Sequence, residues 1–264
     1  MREIENFKNS VLKDYPRLGK NDTFTFHCHK DLSCFNKCCA DVNIFLTPYD
    51  IVRMKNRLGI SSTEFNLRYA VTLTDGRQIY PLVMLKMQDN EPKSCPFVSE
   101  SGCTIYEDRP WACRMYPLGV ASPREDMSGT EEFYFLLDEP DCLGLDEKKV
   151  WTIEKWLEDQ GASHYDRMGA FFKEITLHDY FQRQNQLDPA KMEMFHMACY
   201  DLDRFRRFVF ESSFLKRFEI ETEQIERIRN DDVELLEFAC TWLKFSIFGE
   251  PTLKIKDDLP AASN

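Results

Sequence analysis

Phe26-His27-Cys28-His29-Lys30-Asp31-Leu32-Ser33-Cys34-Phe35-Asn36-Lys37-Cys38-Cys39 places four cysteines within twelve residues, with a histidine on either side of the first. A second group follows at Cys95, Cys103 and Cys113, and Cys142 lies soon after. Thiols at this density are oxidised to disulfides, bound to metal, or kept as reactive groups. Which of the three applies sets both the fold and the function.

The surrounding chain narrows the choice. Met1 to Lys20 is charged throughout and has no apolar run resembling a signal sequence. No uninterrupted apolar segment approaches the length of a membrane span. Both features predict a soluble cytoplasmic protein, and reducing cytoplasm disfavours structural disulfides. At 264 residues the chain has room for one large domain or two modest ones, and 43% hydrophobic residues suffice for a real core. A net charge of −11 argues against sequence-independent binding to nucleic acid, which needs a cationic face, and against an anionic membrane surface.

Metal binding is then the leading reading. Thiolates are soft, compact ligands, and four suit either a zinc ion or an iron–sulfur cluster. Paired C-x-x-C knuckles, the usual zinc signature, are absent; the spacings are C-x5-C-x3-C-C and C-x7-C-x9-C. These scattered ligands favour an iron–sulfur cluster of the 4Fe–4S type over zinc. Adjacent cysteines enter one tetrahedral shell awkwardly. Cys38-Cys39 therefore points to two centres side by side, or to one ligand beside a thiol that does not bind. The expected ligands are Cys28, Cys34, Cys38, Cys39, Cys95, Cys103, Cys113 and Cys142, a number that matches two four-thiolate sites.

Other candidates have plainer readings. Cys199 and Cys240 stand alone on predicted helices and are expected to be small buried hydrophobes. His27 and His29 can ligate, but strand alternation sends both to one face and Cys28 to the other. A thiolate centre is negatively charged, so nearby cations should help to hold it. Lys30, Lys37 and Lys93 fit this role and ordinary surface charge equally well. Arg109 and Arg114 are the expected cofactor-binding cations, Arg114 with the better claim because it sits between Cys113 and an apolar Met-Tyr-Pro.

Element signals divide the chain in two. Thr47-Pro48 opens a helix that Gly59 can end, with Ile51, Met54 and Leu58 at helical spacing. Ser61 and Glu64 begin a second helix through Tyr69. Val71, Leu73 and Ile79 flank Asp75-Gly76, a hairpin signal, and Leu82 to Met87 can supply a further strand. This small sheet should bring the two cysteine groups together. Asp108-Arg109-Pro110 introduces a short helix carrying Trp111 and Cys113, which Pro117 ends. A polar loop over Pro123–Thr130 precedes a strand at Phe133–Leu137, and a turn-rich joint runs from Asp138 to Gly144.

Beyond Asp146 the pattern turns helical. Val150, Ile153, Trp156 and Leu157 share a face, Asp188-Pro189 starts a long helix through Phe210, and Thr222 to Phe248 gives one or two more. A frayed tail is expected from Pro260. The expected class is α+β. A cysteine-cluster domain with a short antiparallel sheet and short helices occupies 1–144, and a helical domain occupies 145–264.

The double cysteine Cys38-Cys39, together with Cys95-Pro96-Phe97, Gly102-Cys103-Thr104-Ile105-Tyr106, Arg109-Pro110 and Cys113-Arg114-Met115-Tyr116-Pro117, resembles the CxxCxxCC (YkgJ-like) cysteine-cluster family, described as zinc- or iron-chelating proteins. The resemblance spans roughly residues 24–142 and implies metal binding without implying one reaction. The first group is wider than the family's name pattern. Its three-residue gap before the double cysteine is similar to flagellin lysine methylases, which share the cluster motif.

Two functional classes follow. The first is a metal-binding protein, holding iron–sulfur or zinc, with a redox, metal-handling or structural role. The second is a protein lysine N-methylase using S-adenosylmethionine. Against it stand the missing G-x-G-x-x-G cradle and the missing C-x3-C-x2-C of radical enzymes. No residue stands out as catalytic. Trp151, Trp156, Phe171, Phe172 and Tyr180 can present an aromatic face to a protein partner, although helical spacing of this kind is more often core.

Overall fold

The computed structural model describes residues 15–73, 78–121, 133–137, 139–183 and 185–256. Thr47 starts the Pro48–Leu58 helix through a capping box. Asp50 N donates to Thr47 Oγ1 at 3.1 Å, and Thr47 N donates to Asp50 Oδ2 at 2.7 Å. Gly59 ends it at φ 65, a left-handed conformation that glycine adopts without a Cβ penalty. Ser61 then caps Ser62–Tyr69 by accepting from Glu64 N.

Ala70–Leu73 follows and pairs antiparallel with Leu82–Leu85, Ala70 opposite Leu85. The returning strand thus begins at Leu82 and leaves out Ile79. Val83 and Leu85 alternate into the core, a stronger pattern than Ile79 offers. Ile79 packs against the core from an irregular segment, where its carbonyl accepts from Leu187 N. Asp75-Gly76, Pro123–Thr130, Asp138 and the tail from Pro260 lie outside the described residues.

Phe133–Leu136 is a strand, and its partner is Leu118–Ala121, a segment without a clear signal of its own. Gly119 sits opposite Phe135, and the ring fills the space a Cβ would take. Val150 belongs to a strand instead of the helix expected for it: Val150–Thr152 pairs with Thr23–Thr25, and Thr152 caps the Ile153–Asp159 helix.

The expected helix from Asp188 to Phe210 is broken in two, Pro189–Tyr200 and Leu202–Glu211. Asp201 breaks it because tertiary contacts claim its carboxylate. Ser62 Oγ and Thr63 Oγ1 each donate to Asp201 Oδ1 at 2.8 Å, while Asp203 N donates back to Ser62 Oγ. Thr222–Asn230 and Asp232–Leu243 complete the helical part, followed by a π-helical turn over Lys244–Phe248.

The class is α+β, with small two-stranded antiparallel sheets and helices concentrated in the C-terminal half. One large core runs across position 144/145. Met54, Phe65 and Val83 pack in the same cluster as Phe195, Phe205, Leu235 and Trp242. A second core joins Phe24, Phe26, Met115, Leu118, Ile153 and Trp156. Trp156 is buried there and Trp151 packs against it, while Phe171, Phe172 and Tyr180 pack against the large core. These aromatics are therefore spread over two cores, Trp156 buried and the other four half-buried. Among the described residues, no helix is long and apolar enough to cross a membrane.

Candidate metal centre

Backbone hydrogen bonds stitch the two cysteine groups together. Cys95 N donates to Cys39 O at 2.7 Å, Asp41 N donates to Lys93 O at 3.0 Å, and Asn36 Nδ2 reaches Ser99 O at 2.8 Å. Asn36 takes a left-handed turn (φ 68) that tightens the chain into a 3₁₀ turn over Lys37–Cys39. Val98–Ser99 and Gly102–Cys103 form a two-rung hairpin, with Gly102 at φ 110. Cys113 rides on the short Trp111–Met115 helix. Asp50, fully buried, anchors its start by accepting from Trp111 N at 2.8 Å. Thus the Thr47 cap, through Asp50, also positions Cys113.

A separate ladder places Cys28. Phe26 N donates to Lys149 O and His27 N to Gly144 O, both at 2.9 Å, extending the pairing of Thr23–Thr25 with Val150–Thr152. Gly144 permits this approach: a Cβ there would lie 3.0 Å from the Phe26 ring and 3.4 Å from His27 O. The ladder brings Cys28 to Cys142.

The eight cysteines of residues 28–142 sort by electrostatic neighbourhood into two quartets. Partial loss of hydration among its neighbours and the nearby sulfurs of Cys38, Cys34 and Cys142 push the largely exposed Cys28 thiol up to about 11. Burial, then Cys95, Asp50 and Cys103, push Cys113 up to about 12. Cys39 is raised too, first by its hydrogen bond with Cys38, then by burial and by Cys38, Cys95 and Cys113. Cys38 is the exception, lowered to about 7 because Cys39 hydrogen-bonds to it. By these neighbours the thiols form two overlapping sets of four, Cys28, Cys34, Cys38 and Cys142 in one and Cys39, Cys95, Cys103 and Cys113 in the other, linked by the Cys38–Cys39 hydrogen bond. They meet at the Cys38-Cys39 peptide. Cys28 and Cys38 are exposed, whereas all four members of the second quartet are half-buried.

This donor set fits a thiolate-bound metal. Neighbouring thiols resist ionising because their charges would repel, and a bound cation removes that penalty. Backbone amides are already aimed at the sulfurs: Phe97 and Val98 N–H at Cys95, Ile105 N–H at Cys103. Such N–H···S bonds favour the thiolate and tune the metal it holds. No three cysteine sulfurs among the described residues lie mutually within 4.8 Å. A single tetrahedral zinc, with Zn–S of 2.3 Å, would hold them about 3.8 Å apart.

The two arginines part company. Arg109 is buried beside the second quartet, where its charge opposes the upward shifts of Cys103 and Cys113. It is held by Tyr106 O and Gln160 Oε1 and lies over the Tyr106 ring at 3.8 Å. Arg114 directs its guanidinium to Arg109 O, Glu107 O, Gln160 O and Tyr165 Oη. It ties the Cys113 helix to the Ala162–Thr176 helix. Lys93 pairs with Asp41 at 3.0 Å, and Lys30 and Lys37 are exposed.

Two neighbours of the cysteines were not among the expected site residues. Asp50 reads as a helix cap and is also Cys113's anchor; burial lifts its carboxyl to about 6 despite the donors around it. Tyr116 hydrogen-bonds with Cys142, and burial together with that bond raises its phenol. A surface cleft of about 560 Å³ opens beside Cys39, lined also by Phe35, Lys37, Pro92, Val98 and Glu100. Cys199 and Cys240 are buried in the large core, hydrogen-bonded to each other.

Residues 27–149 match the model of the CxxCxxCC family, whose description reads "Putative zinc- or iron-chelating domain". The match covers all eight clustered cysteines and excludes Cys199 and Cys240. No curated protein and no solved structure matches the chain.

Proposed function

We propose that residues 27–149, a segment matching a zinc- or iron-chelating domain, hold two adjacent four-thiolate iron–sulfur centres. The outer centre would use Cys28, Cys34, Cys38 and Cys142, the inner one Cys39, Cys95, Cys103 and Cys113. The observation carrying this reading is that Cys28 has Cys34, Cys38 and Cys142 as neighbours, while Cys39, Cys95, Cys103 and Cys113 neighbour one another, the two sets touching where Cys38 and Cys39 hydrogen-bond. The scattered cysteine spacings, without paired C-x-x-C knuckles, favour an iron–sulfur core over zinc in each.

An iron–sulfur centre supplies one-electron chemistry. The chain's own residues tune it: the Phe97, Val98 and Ile105 amides and the Arg109 cation stabilise negative charge on the inner sulfurs. The inner site is half-buried and the outer one reaches solvent through Cys28 and Cys38, an order from surface to interior that suits a redox role. Anaerobic purification with iron and acid-labile sulfide analysis tests this. Brown protein with sulfide equal to iron, at a level that fills both quartets, supports it. Colourless protein with zinc and no sulfide overturns it.

A further inference from the structure

Beside the thiolates, the segment that carries Cys28 presents a second set of donors. Cys28 neighbours Cys34, Cys38 and Cys142, and the histidines before and after it lie near each other. The His27 and His29 rings lie side by side, their centroids 4.9 Å apart. Glu147 is brought to them from the opposing chain by the His27–Gly144 and Phe26–Lys149 hydrogen bonds. One ligand atom from each of His27, His29 and Glu147 lies within 4.8 Å of the others, and His29 Nε2 stands 3.8 Å from Glu147 Oε1.

We infer that His27, His29 and Glu147 form a separate mononuclear site for a divalent first-row transition ion. Two imidazoles and one carboxylate are the donors that zinc, iron(II), nickel and copper(II) accept, and three protein ligands leave positions for water. Atoms bound to one ion at about 2.0–2.2 Å are separated by roughly 3–3.6 Å. A modest turn of the exposed His27 ring therefore closes the set. Asp31 brings a carboxylate close enough to the other ring nitrogen of His29 to orient the imidazole after a small side-chain rotation. Its Oδ2 lies 3.6 Å from His29 Nδ1, on the far side of the ring from the nitrogen that faces Glu147. A simple ion pair would need one carboxylate at His29. The two carboxylates flanking it, with a second imidazole alongside, match a metal ligand and its support. The site uses none of the eight cysteines and stands or falls independently of the thiolate centres.

The experiment titrates Zn²⁺ into anaerobically purified protein carrying its resident metal, by calorimetry with elemental analysis, and repeats the titration with Co²⁺ while recording the visible spectrum. The expected result is one added equivalent, lost in His27→Ala and in Glu147→Gln, and weakened about 10–100-fold in Asp31→Asn. Resident iron and sulfide should be unchanged in all three variants. Co²⁺ should give weak visible bands without intense thiolate-to-metal absorption. Unchanged binding in the variants, absence of an added equivalent, or thiolate absorption from bound Co²⁺ would each overturn the site. Because each variant retains all eight cysteines, its resident iron reports on the quartets separately.

Discussion

Replacing Cys38 and Cys39 separately by serine should give two different proteins. A serine hydroxyl is a hard, poor substitute for a soft thiolate. Each variant therefore strips one ligand from one quartet and leaves the other whole. Half of the bound metal should be lost in either case, and the consequences for stability should differ. The outer quartet joins the Thr23–Thr25 ladder to the first cysteine group, and two of its members, Cys28 and Cys38, face solvent. The inner quartet joins the Lys37–Cys39 turn, the Val98–Cys103 hairpin and the Trp111–Met115 helix, with Cys95 and Cys103 packed against the large core. A structural metal is worth on the order of 10 kcal/mol to the fold that holds it. Cys39→Ser should thus lose local order around residues 93–115, while Cys38→Ser should remain folded. The assay is iron per chain by elemental analysis, with amide hydrogen exchange to locate lost order. Cys142→Ser should behave like Cys38→Ser, and Cys113→Ser like Cys39→Ser. Refutation would be a folded Cys38→Ser protein that keeps all of its metal, or one that loses all of it; the second result means a single centre.

Other predictions concern the frame around the site. Lys55, buried, bonds Asp232 at 2.8 Å and lies 3.6 Å from Asp203, so Lys55→Met should cost about 2–4 kcal/mol by urea denaturation. Arg206 still faces Asp232 in that variant, which keeps the loss below that of a wholly unpaired buried charge. Burial opposes ionisation of Asp232, but hydrogen bonds from Lys55 and Asn56 and the charges of Lys55 and Arg206 win and hold its carboxyl below the ordinary range. Its contribution is then complete above the unfolded value near pH 3.9 and lost as pH falls through the lower folded value. Melting curves should show wild type losing more stability than Asp232→Asn over that interval. Gly119→Ala would put a Cβ 2.2 Å from the Phe135 ring, so it should destabilise by about 1–3 kcal/mol, with Phe135→Leu relieving part of the loss.

Local signals carried much of the architecture. Thr47-Pro48 with Gly59, and Ser61 with Glu64, mark two helices because caps act within a few residues of the atoms they satisfy. The α+β class followed from the change of period beyond Asp146. Where distant partners decide, sequence patterns were less informative. Asp201 breaks a helix whose composition would let it continue, because Ser62 and Thr63, far away in sequence, bond its carboxylate. Leu118–Ala121 becomes a strand through pairing with Phe133–Leu136. The cysteines were visible by density, and the crowding of Cys38 beside Cys39 raised the idea of two centres. Which sulfur goes with which needed the fold, since Cys28 meets Cys142 only through a ladder spanning more than a hundred residues of chain. His27 and His29 do lie side by side, although residues 26–29 are not a regular strand, and nothing in the spacing pointed to Glu147.

X-ray absorption at the iron edge of anaerobic protein tests the central claim most directly, because it reports the atoms bonded to the metal. Two thiolate-held clusters predict a first shell of sulfur alone with iron neighbours behind it. A shell of nitrogen and oxygen without iron neighbours would contradict them.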